Sequence, residues 1–446
     1  MQRYLWSLKE SRQSQRTKLK KVLIITYYWP PSGGAGVQRT LHFAKYLGDY
    51  NCIPYVLTVD PAYASYPVID ESLMSIVPSN LNVTYTKSFE ALNILSAVAG
   101  KDKVPYGGFA NQKKPSFFQD VLKWIRGNFF IPDARIGWVR YAVQKASELI
   151  QTHQIDTVLI SSPPHSSQLI GLKLKKEFPH LKWIADLRDP WTDIYYYKEL
   201  LHTNWAKKKD LALEKKVLER ADSILVVSNY IKYTFAEKSL KINVDKIHVL
   251  PNGFDESDFA KEVIKIEDKF YITYVGTIAE SYKPTVFFET LAMVIKQNNI
   301  EHLVFRFVGS VPVLIREMLN ELGINSEFIG HIAHKEAVRY MLSTNLLLLV
   351  IPDAPGADGI LTGKLFEYLG ASKRIIGIGP SNGNAATILK ECKAGVMFDR
   401  SNKKGLSNYL ADEIMNDHRD KIDTNEVKKY TRKQLTQQLS SIIFNS

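Results

Sequence analysis

Long apolar runs are missing from this chain. None approaches the ~20 residues needed to cross a bilayer, and the longest, such as 346–351, have the length of buried strands. The N-terminus lacks the roughly 7–15-residue apolar core of a signal peptide. Without either, the chain is expected to stay in the cytoplasm or at the inner face of the membrane. Cysteine is scarce too, with two in 446 residues, Cys52 and Cys392, far apart and without metal-ligand spacing. That excludes a disulfide scaffold and a zinc site, and it suits a reducing compartment. Nucleic-acid motifs, low-complexity tracts and 20–50-residue repeats are also missing.

What is present reads as an ordinary globular composition, 45% hydrophobic and 23% charged, long enough for two or three domains. The formal charge of +12 would attract anionic lipid or phosphorylated substrates without choosing between them. Residues 1–21 carry seven basic side chains and one acid, Glu10, with Trp6. They read as a basic extension or as a membrane-surface helix.

From residue 22 short apolar runs alternate with helical patterns. Strands are expected at 22–26, 54–59, 157–160, 182–187 and 223–227, and a helix at about 36–50. After Pro251-Asn252-Gly253 the same grammar restarts. Strands are expected there at 270–275, 303–308, 346–351 and 374–378, and helices at 284–297, 312–322, 335–342 and 364–371. Continuous apolar strands alternating with helices indicate parallel sheets covered on both faces. The expected division is an extension at 1–20, a first domain at 21–253, a second at 254–429, and a helix at 430–446 crossing back. Ligands of open parallel sheets bind beyond the carboxyl ends of the strands.

Two connections carry phosphate-binding character. Pro31-Ser32-Gly33-Gly34-Ala35-Gly36 follows the first strand, where glycines let N–H groups approach an anion at a helix start. A dinucleotide fold would use a similar turn, with Asp60 as the ribose acid, but the Gly-x-Gly-x-x-Gly fingerprint fails at Arg39. In the second domain, Gly359-Ile360-Leu361-Thr362-Gly363-Lys364-Leu365-Phe366-Glu367 opens a helix after the apolar strand. Thr362 and Gly363 would offer helix-end N–H groups, Lys364 a full charge, and Glu367 a carboxylate for ribose hydroxyls. A capped surface helix with a solvent-facing Lys-Glu pair would use the same residues.

This segment resembles the donor-binding segment of glycosyltransferase family 4. Further stretches match that family in order: 27–36, Val249-Leu250-Pro251-Asn252-Gly253-Phe254-Asp255, Tyr274-Val275-Gly276-Thr277 and Ile329-Gly330-His331-Ile332. The resemblance implies a GT-B fold of two doubly wound, Rossmann-like domains. It implies a retaining transferase that takes a sugar from a nucleotide-diphosphate donor and gives it to a hydroxyl acceptor, a glycan or lipid-linked glycan, without a metal. No Asp-x-Asp motif stands at a strand end. Carried over, Glu367 would bind ribose, and Lys364, Thr362 and Gly363 the diphosphate. Gly33 and Gly34 would face the sugar-phosphate, Gly276 and Thr277 would line the donor, and His331 and Ile332 would meet the base. Thr277 stands where many members have Arg, and Lys283 is a candidate second cation. Gly359, with Asp358 beside it, stands where an acid usually precedes Glu367 by eight residues. A nucleotide-sugar epimerase and a non-catalytic nucleotide-sugar-binding subunit would share the donor site.

The first domain has its own constellation. Ser161-Ser162-Pro163-Pro164-His165 follows one strand and Asp186-Leu187-Arg188-Asp189-Pro190-Trp191 the next. By resemblance, Asp189 would orient an acceptor hydroxyl and Arg188 touch the donor phosphate; alternatively the two brace the loop as a buried pair. His165 is either catalytic or a loop cap. Finally, Phe118, Val121, Leu122, Ile125 and Phe129 share one helical face, with Lys123 and Arg126 elsewhere on the helix. That face would pack on the core or dock on a membrane.

Overall fold

The computed structural model describes residues 19–90, 117–195, 197–259, 269–279, 282–416 and 422–445. The N-terminal extension to residue 18 lies outside them.

The first sheet is built of β1 (Lys20–Ile25), β2 (Cys52–Val59), β3 (Asn82–Thr86), β4 (Thr157–Ser162), β5 (Lys182–Leu187), β6 (Ser223–Val226) and β7 (Ile247–Val249). Its helices are α1 (Ala35–Tyr46), α2 (Phe117–Phe129), α3 (Val139–His153), α4 (Gln168–Glu177), α5 (Asn204–Arg220) and α6 (Asn229–Ala236). The second sheet contains β8 (Phe270–Val275), β9 (Leu303–Val308), β10 (Ser326–Ile329), β11 (Leu346–Val350), β12 (Arg374–Ile378) and β13 (Gly395–Phe398). With it run α7 (Thr285–Gln297), α8 (Val313–Glu321), α9 (His334–Leu342), α10 (Gly363–Gly370), α11 (Asn384–Glu391), α12 (Lys403–Met415), α13 (Thr424–Lys428) and α14 (Arg432–Phe444).

Both sheets are parallel and share one winding, β3-β2-β1-β4-β5-β6-β7 and β10-β9-β8-β11-β12-β13. Each chain path reverses beside its first strand, so Ile25 pairs with Leu57 on one side and Ile160 on the other. These reversals open a crevice at the carboxyl ends of β1 and β4, and of β8 and β11.

Burial on both faces explains the continuous apolar strands. In β1, Leu23 and Ile25 enter one core with Trp138, Val158 and Ile170, while Val22 and Ile24 enter the opposite core with Val37, Leu41 and Leu439. In β11, Leu346, Leu348 and Val350 face Phe288 and Phe305, and Leu347 and Leu349 face Leu365 and Phe366. The period-two alternation is intact, with apolar residues at both phases.

The domains are tied where the chain crosses. Asp255, at the start of the second domain, accepts hydrogen bonds from Lys45 (3.0 Å) and Tyr46 (2.8 Å) of α1 and contacts His42 Nε2 at 2.9 Å. Those donors, with the Ser257 N–H, hold its carboxyl far below the usual carboxylate range against the cost of its burial. Helix α14 returns to α1, burying Leu435, Leu439 and Ile443 in the first domain, where Lys182 Nζ donates to the carbonyls of Ile442 and Ile443.

Candidate functional site

At the carboxyl end of β8 the chain turns through Gly276 with φ at +111°, a conformation L side chains rarely adopt. A Cβ there would lie 2.5 Å from Lys364 Cε, so glycine also clears the bed in which that side chain lies. Lys364 begins α10 and is half-buried, its ammonium 5.4 Å from the centroid of the Tyr274 ring. It makes no hydrogen bond or ion pair among the described residues. Burial lowers its pKa, and the Glu367 carboxylate opposes that. Before it, Thr362 has the extended backbone of a helix cap, yet its hydroxyl caps nothing and Oγ1 is buried without a partner. The first-turn N–H groups of a helix have no carbonyl within the helix. Here the Leu365 N–H is taken by the Thr362 carbonyl (3.2 Å), so the donors left beside the unpaired cation among the described residues are the N–H groups of Gly363 and Lys364.

Helix α10 is held rigidly. Tyr368 is fully buried and its hydroxyl accepts the Val275 N–H at 2.9 Å, pinning the helix to the end of β8. Glu367, one turn beyond Lys364, faces His334 Nε2 at 3.5 Å. Its hydrogen bond to that carboxylate raises the His334 pKa. Arg432, from the returning α14, is pushed down to about 10 chiefly by burial, with Glu367, Asp258 and Asp255 opposing. Residues His334 and Arg432 escaped the sequence reading. The first stood three positions past His331 at a helix start; the second comes from a distant helix with no local signal.

The other expected residues are placed less uniformly. His331 is exposed, and Ile332 packs partly against the core beneath α9. Thr277 is exposed, and its carbonyl accepts the Tyr274 hydroxyl at 2.9 Å. Lys283 is engaged on the surface with Asp353 at 2.6 Å, so this cation is already paired. Asp60 caps its own turn through the Ala62 N–H. Gly359 is packed by the first domain: a Cβ there would meet the Tyr230 ring at 2.4 Å, and one at Gly356 the Tyr230 hydroxyl at 2.9 Å. Tyr230, at the start of α6, fills the room an acidic side chain would need at 359. No sequence signal marked it.

Across the cleft, Gly34 precedes α1 with φ at +89° and open space around it, while the Gly33 N–H already donates to the Val68 carbonyl at 2.8 Å. Arg188 is buried. Its Nε donates to the Ser162 carbonyl (3.0 Å), one terminal nitrogen to Gly36 (2.9 Å) and the other to Pro163 (3.4 Å). It braces three loops against one another through carbonyls, and the buried ion pair nearby is Arg39 with Asp186 (2.9 Å). Asp189 has no side-chain hydrogen bond among the described residues; burial raises its pKa while Arg188 counters. His165 stacks on Trp191 (centroids 4.8 Å apart) and is pushed down to about 3 by burial, then by Arg188 and Lys238, which keeps the ring neutral.

Helix α2 sits on the 197–203 segment through Gly127, whose Cα approaches the Leu200 carbonyl, and Asn128, which bonds the Leu201 carbonyl and the Thr203 N–H. Val121, Trp124 and Phe129 are exposed and Ile125 is half-buried; the side chains of Phe118 and Leu122 lie outside the described set. Among the described residues no helix is long and apolar enough to cross a membrane, and no cluster of three or more His, Cys, Asp or Glu is placed to hold a metal ion.

Comparison with known proteins agrees with this architecture. Residues 107–258 match Glycosyltransferase Family 4. The chain is 23% identical over 283 residues to TuaH of Bacillus subtilis, named as a teichuronic acid biosynthesis glycosyltransferase, covering 58% of this chain and 68% of that one. A glycosyltransferase from Rickettsia africae superposes with a TM-score of 0.60 at 14% identity, over 96% of this chain and 100% of that one. A UDP-GlcNAc 2-epimerase from Methanocaldococcus jannaschii gives 0.50 at 10% identity, over 96% and 100%. At such identities the two structures speak for the fold alone. With the two like-wound sheets, these similarities support a glycosyltransferase of the GT-B type, and residues 107–258 are similar to Glycosyltransferase Family 4.

Proposed function

We propose that the protein is a retaining glycosyltransferase that moves a sugar from a nucleotide-diphosphate donor to a hydroxyl of a glycan or lipid-linked glycan, in the synthesis of a surface polysaccharide. The observation that carries the donor assignment is the start of α10, where Lys364 is half-buried and unpaired beside a buried Thr362 hydroxyl that bonds nothing. A diphosphate supplies what both groups want, an acceptor oxygen and negative charge.

In this reading Lys364, Thr362 and the N–H of Gly363 receive the diphosphate, and Glu367 accepts the ribose hydroxyls. Thr277, His331 and Ile332 border the base and sugar. The bond from the sugar's anomeric carbon to the phosphate oxygen breaks, and the electron pair stays on the departing diphosphate. Lys364 and the helix-end dipole stabilise that charge without a divalent ion. The acceptor oxygen bonds to the same face of the anomeric carbon, and its proton passes to the leaving phosphate. Asp189 orients the acceptor hydroxyl. Arg188 holds the loops that carry Asp189 and the Gly34 turn. Exposed Trp124 and Phe129 of α2, and exposed Trp205 of the lysine-rich helix α5 that touches it, support contact with a membrane surface presenting the acceptor.

Thermal stability against a panel of nucleotides and nucleotide sugars, with and without EDTA, tests the proposal. One nucleoside diphosphate should stabilise the wild type, EDTA should leave the shift intact, and Glu367→Ala should abolish it. A shift that disappears with EDTA overturns the metal-free reading. Conversion of the nucleotide sugar without any acceptor would make the protein an epimerase instead.

A further inference from the structure

A cavity of about 630 Å³ lies between α5 and residues 192–195, 197 and 198. We propose that it is the subsite for an anionic group of the acceptor, a phosphate, diphosphate or carboxylate. The inference rests on the transferase reading and specifies the acceptor's chemistry.

Position is the first argument. The segment forming one wall begins three residues after Asp189, and Pro355 of the second domain closes the rim. Pro355 belongs to the same loop as Gly356 and Gly359, on which Tyr230 rests. An occupant would therefore touch both domains beside the cleft.

Charge is the second argument. On α5, Lys207, Leu211 and Lys215 follow at intervals of four and all line the cavity. Lys198 and Lys238 contribute from other elements. Lys238 is already bound by Asp193 and Glu214. Lys198, Lys207 and Lys215 make no ion pair or hydrogen bond among the described residues, and against them stands one unpaired acid of the lining, Glu237. Cations converging on a hollow repel one another unless an anion joins them.

Rigidity is the third. Beneath the wall, the Asp210 carboxylate accepts both the Trp191 indole N–H and the Tyr197 hydroxyl at 2.8 Å, and Glu214 accepts the Thr192 hydroxyl at 2.5 Å. Two buried acids thus fasten the segment to α5, so the hollow is built before anything enters. Tyr195, half exposed beside the lysines, adds a ring face on which a sugar can stack.

Lysine acylation of the full chain, read by mass spectrometry at constant ionic strength, tests this. Inorganic pyrophosphate and sodium glucuronate are the probes, with glucose as the neutral control. Lys208 and Lys216, on other faces of α5, are the internal references. One or both anions should slow labelling of Lys207 and Lys215 by roughly threefold or more relative to those references. Protection by pyrophosphate alone identifies a diphosphate-bearing acceptor, and protection by glucuronate alone an acidic sugar. In a K207E/K215E chain the protection of Lys198 should vanish. Equal labelling with and without both anions overturns the subsite. Protection of all α5 lysines together, by vesicles of anionic phospholipid only, also overturns it and makes the helix a lipid-facing surface. The thermal shift given by a nucleoside diphosphate reports the donor half separately, so failure here is distinguishable from failure of the transferase reading.

Discussion

The two walls of the cleft solve opposite problems with the same kind of residue. On the second domain, Lys364 is half-buried with no partner and Thr362 keeps a buried hydroxyl unbonded. On the first, Arg188 spends its donors on three backbone carbonyls and the Gly33 N–H is taken by Val68. One wall holds back donors for a ligand; the other uses them to shape itself. A buried cation left unpaired lowers stability, so its retention points to chemistry, whereas a cation saturated by carbonyls is explained by the fold alone.

The largest expected effect breaks the comparison at its reactive end. Lys364→Ala should lower kcat/KM by about 10²–10³-fold, the scale of losing one oriented charge at a departing oxygen. Its stability should hold or rise, since a desolvated cation without a counterion is removed. Arg188→Ala should do the reverse. Orphaning buried carbonyls costs about 2–3 kcal/mol, visible as a lower urea midpoint, and activity falls with the folded fraction. An Arg188→Ala protein of wild-type stability that has lost turnover would erase the contrast and make Arg188 a catalytic residue.

A third test concerns the contact between the walls. Gly359→Ala places a methyl 2.4 Å from the Tyr230 ring, which must shift or hold the domains apart. Overpacking of this sort costs about 1–3 kcal/mol, or roughly tenfold in rate if the closed state is the active one. Adding Tyr230→Ala should restore most of it, and a double-mutant cycle gives the coupling. Additive losses would show that Tyr230 does not register closure.

How much of this was legible in the sequence follows from burial. The nine expected strands are all present, and each is buried on both faces, so its apolar run is continuous. The four that were missed, β3, β7, β10 and β13, are the four sheet edges. Asn82–Thr86 and Ser326–Ile329 are half solvated and mix polar with apolar residues, leaving no run to recognise. The α10 segment was legible because its function is local, with donors, cation and carboxylate within six residues. Tyr230, His334 and Arg432 were not, because each reaches the cleft from an element far off in sequence. The role of Arg188 stayed open for the same reason: its partners Gly36, Ser162 and Pro163 converge only in the fold.

The smallest expected effect asks whether Glu367 is as free as Lys364. His334 lies 3.5 Å from it, and the hydrogen bond raises the imidazole pKa above its ordinary 6.5. A raised folded-state value means that the pair's stabilisation is complete below about 6.5 and is lost as pH rises through the folded value. Both side chains are about one-third exposed, so the contribution is under ~1 kcal/mol. Urea unfolding of the wild type and His334→Ala should therefore differ in mildly acid buffer and converge in alkaline buffer. Nucleoside diphosphate binding adds a second reading, because ribose hydroxyls and His334 compete for one carboxylate. Affinity should rise with pH more steeply in the wild type than in His334→Ala, where the terminal phosphate's own ionisation at about pH 6 is the remaining contribution. Identical profiles in the two proteins would show that the ribose takes Glu367 without displacing His334, leaving Lys364 and Thr362 as the groups on this wall that wait unbonded for the ligand.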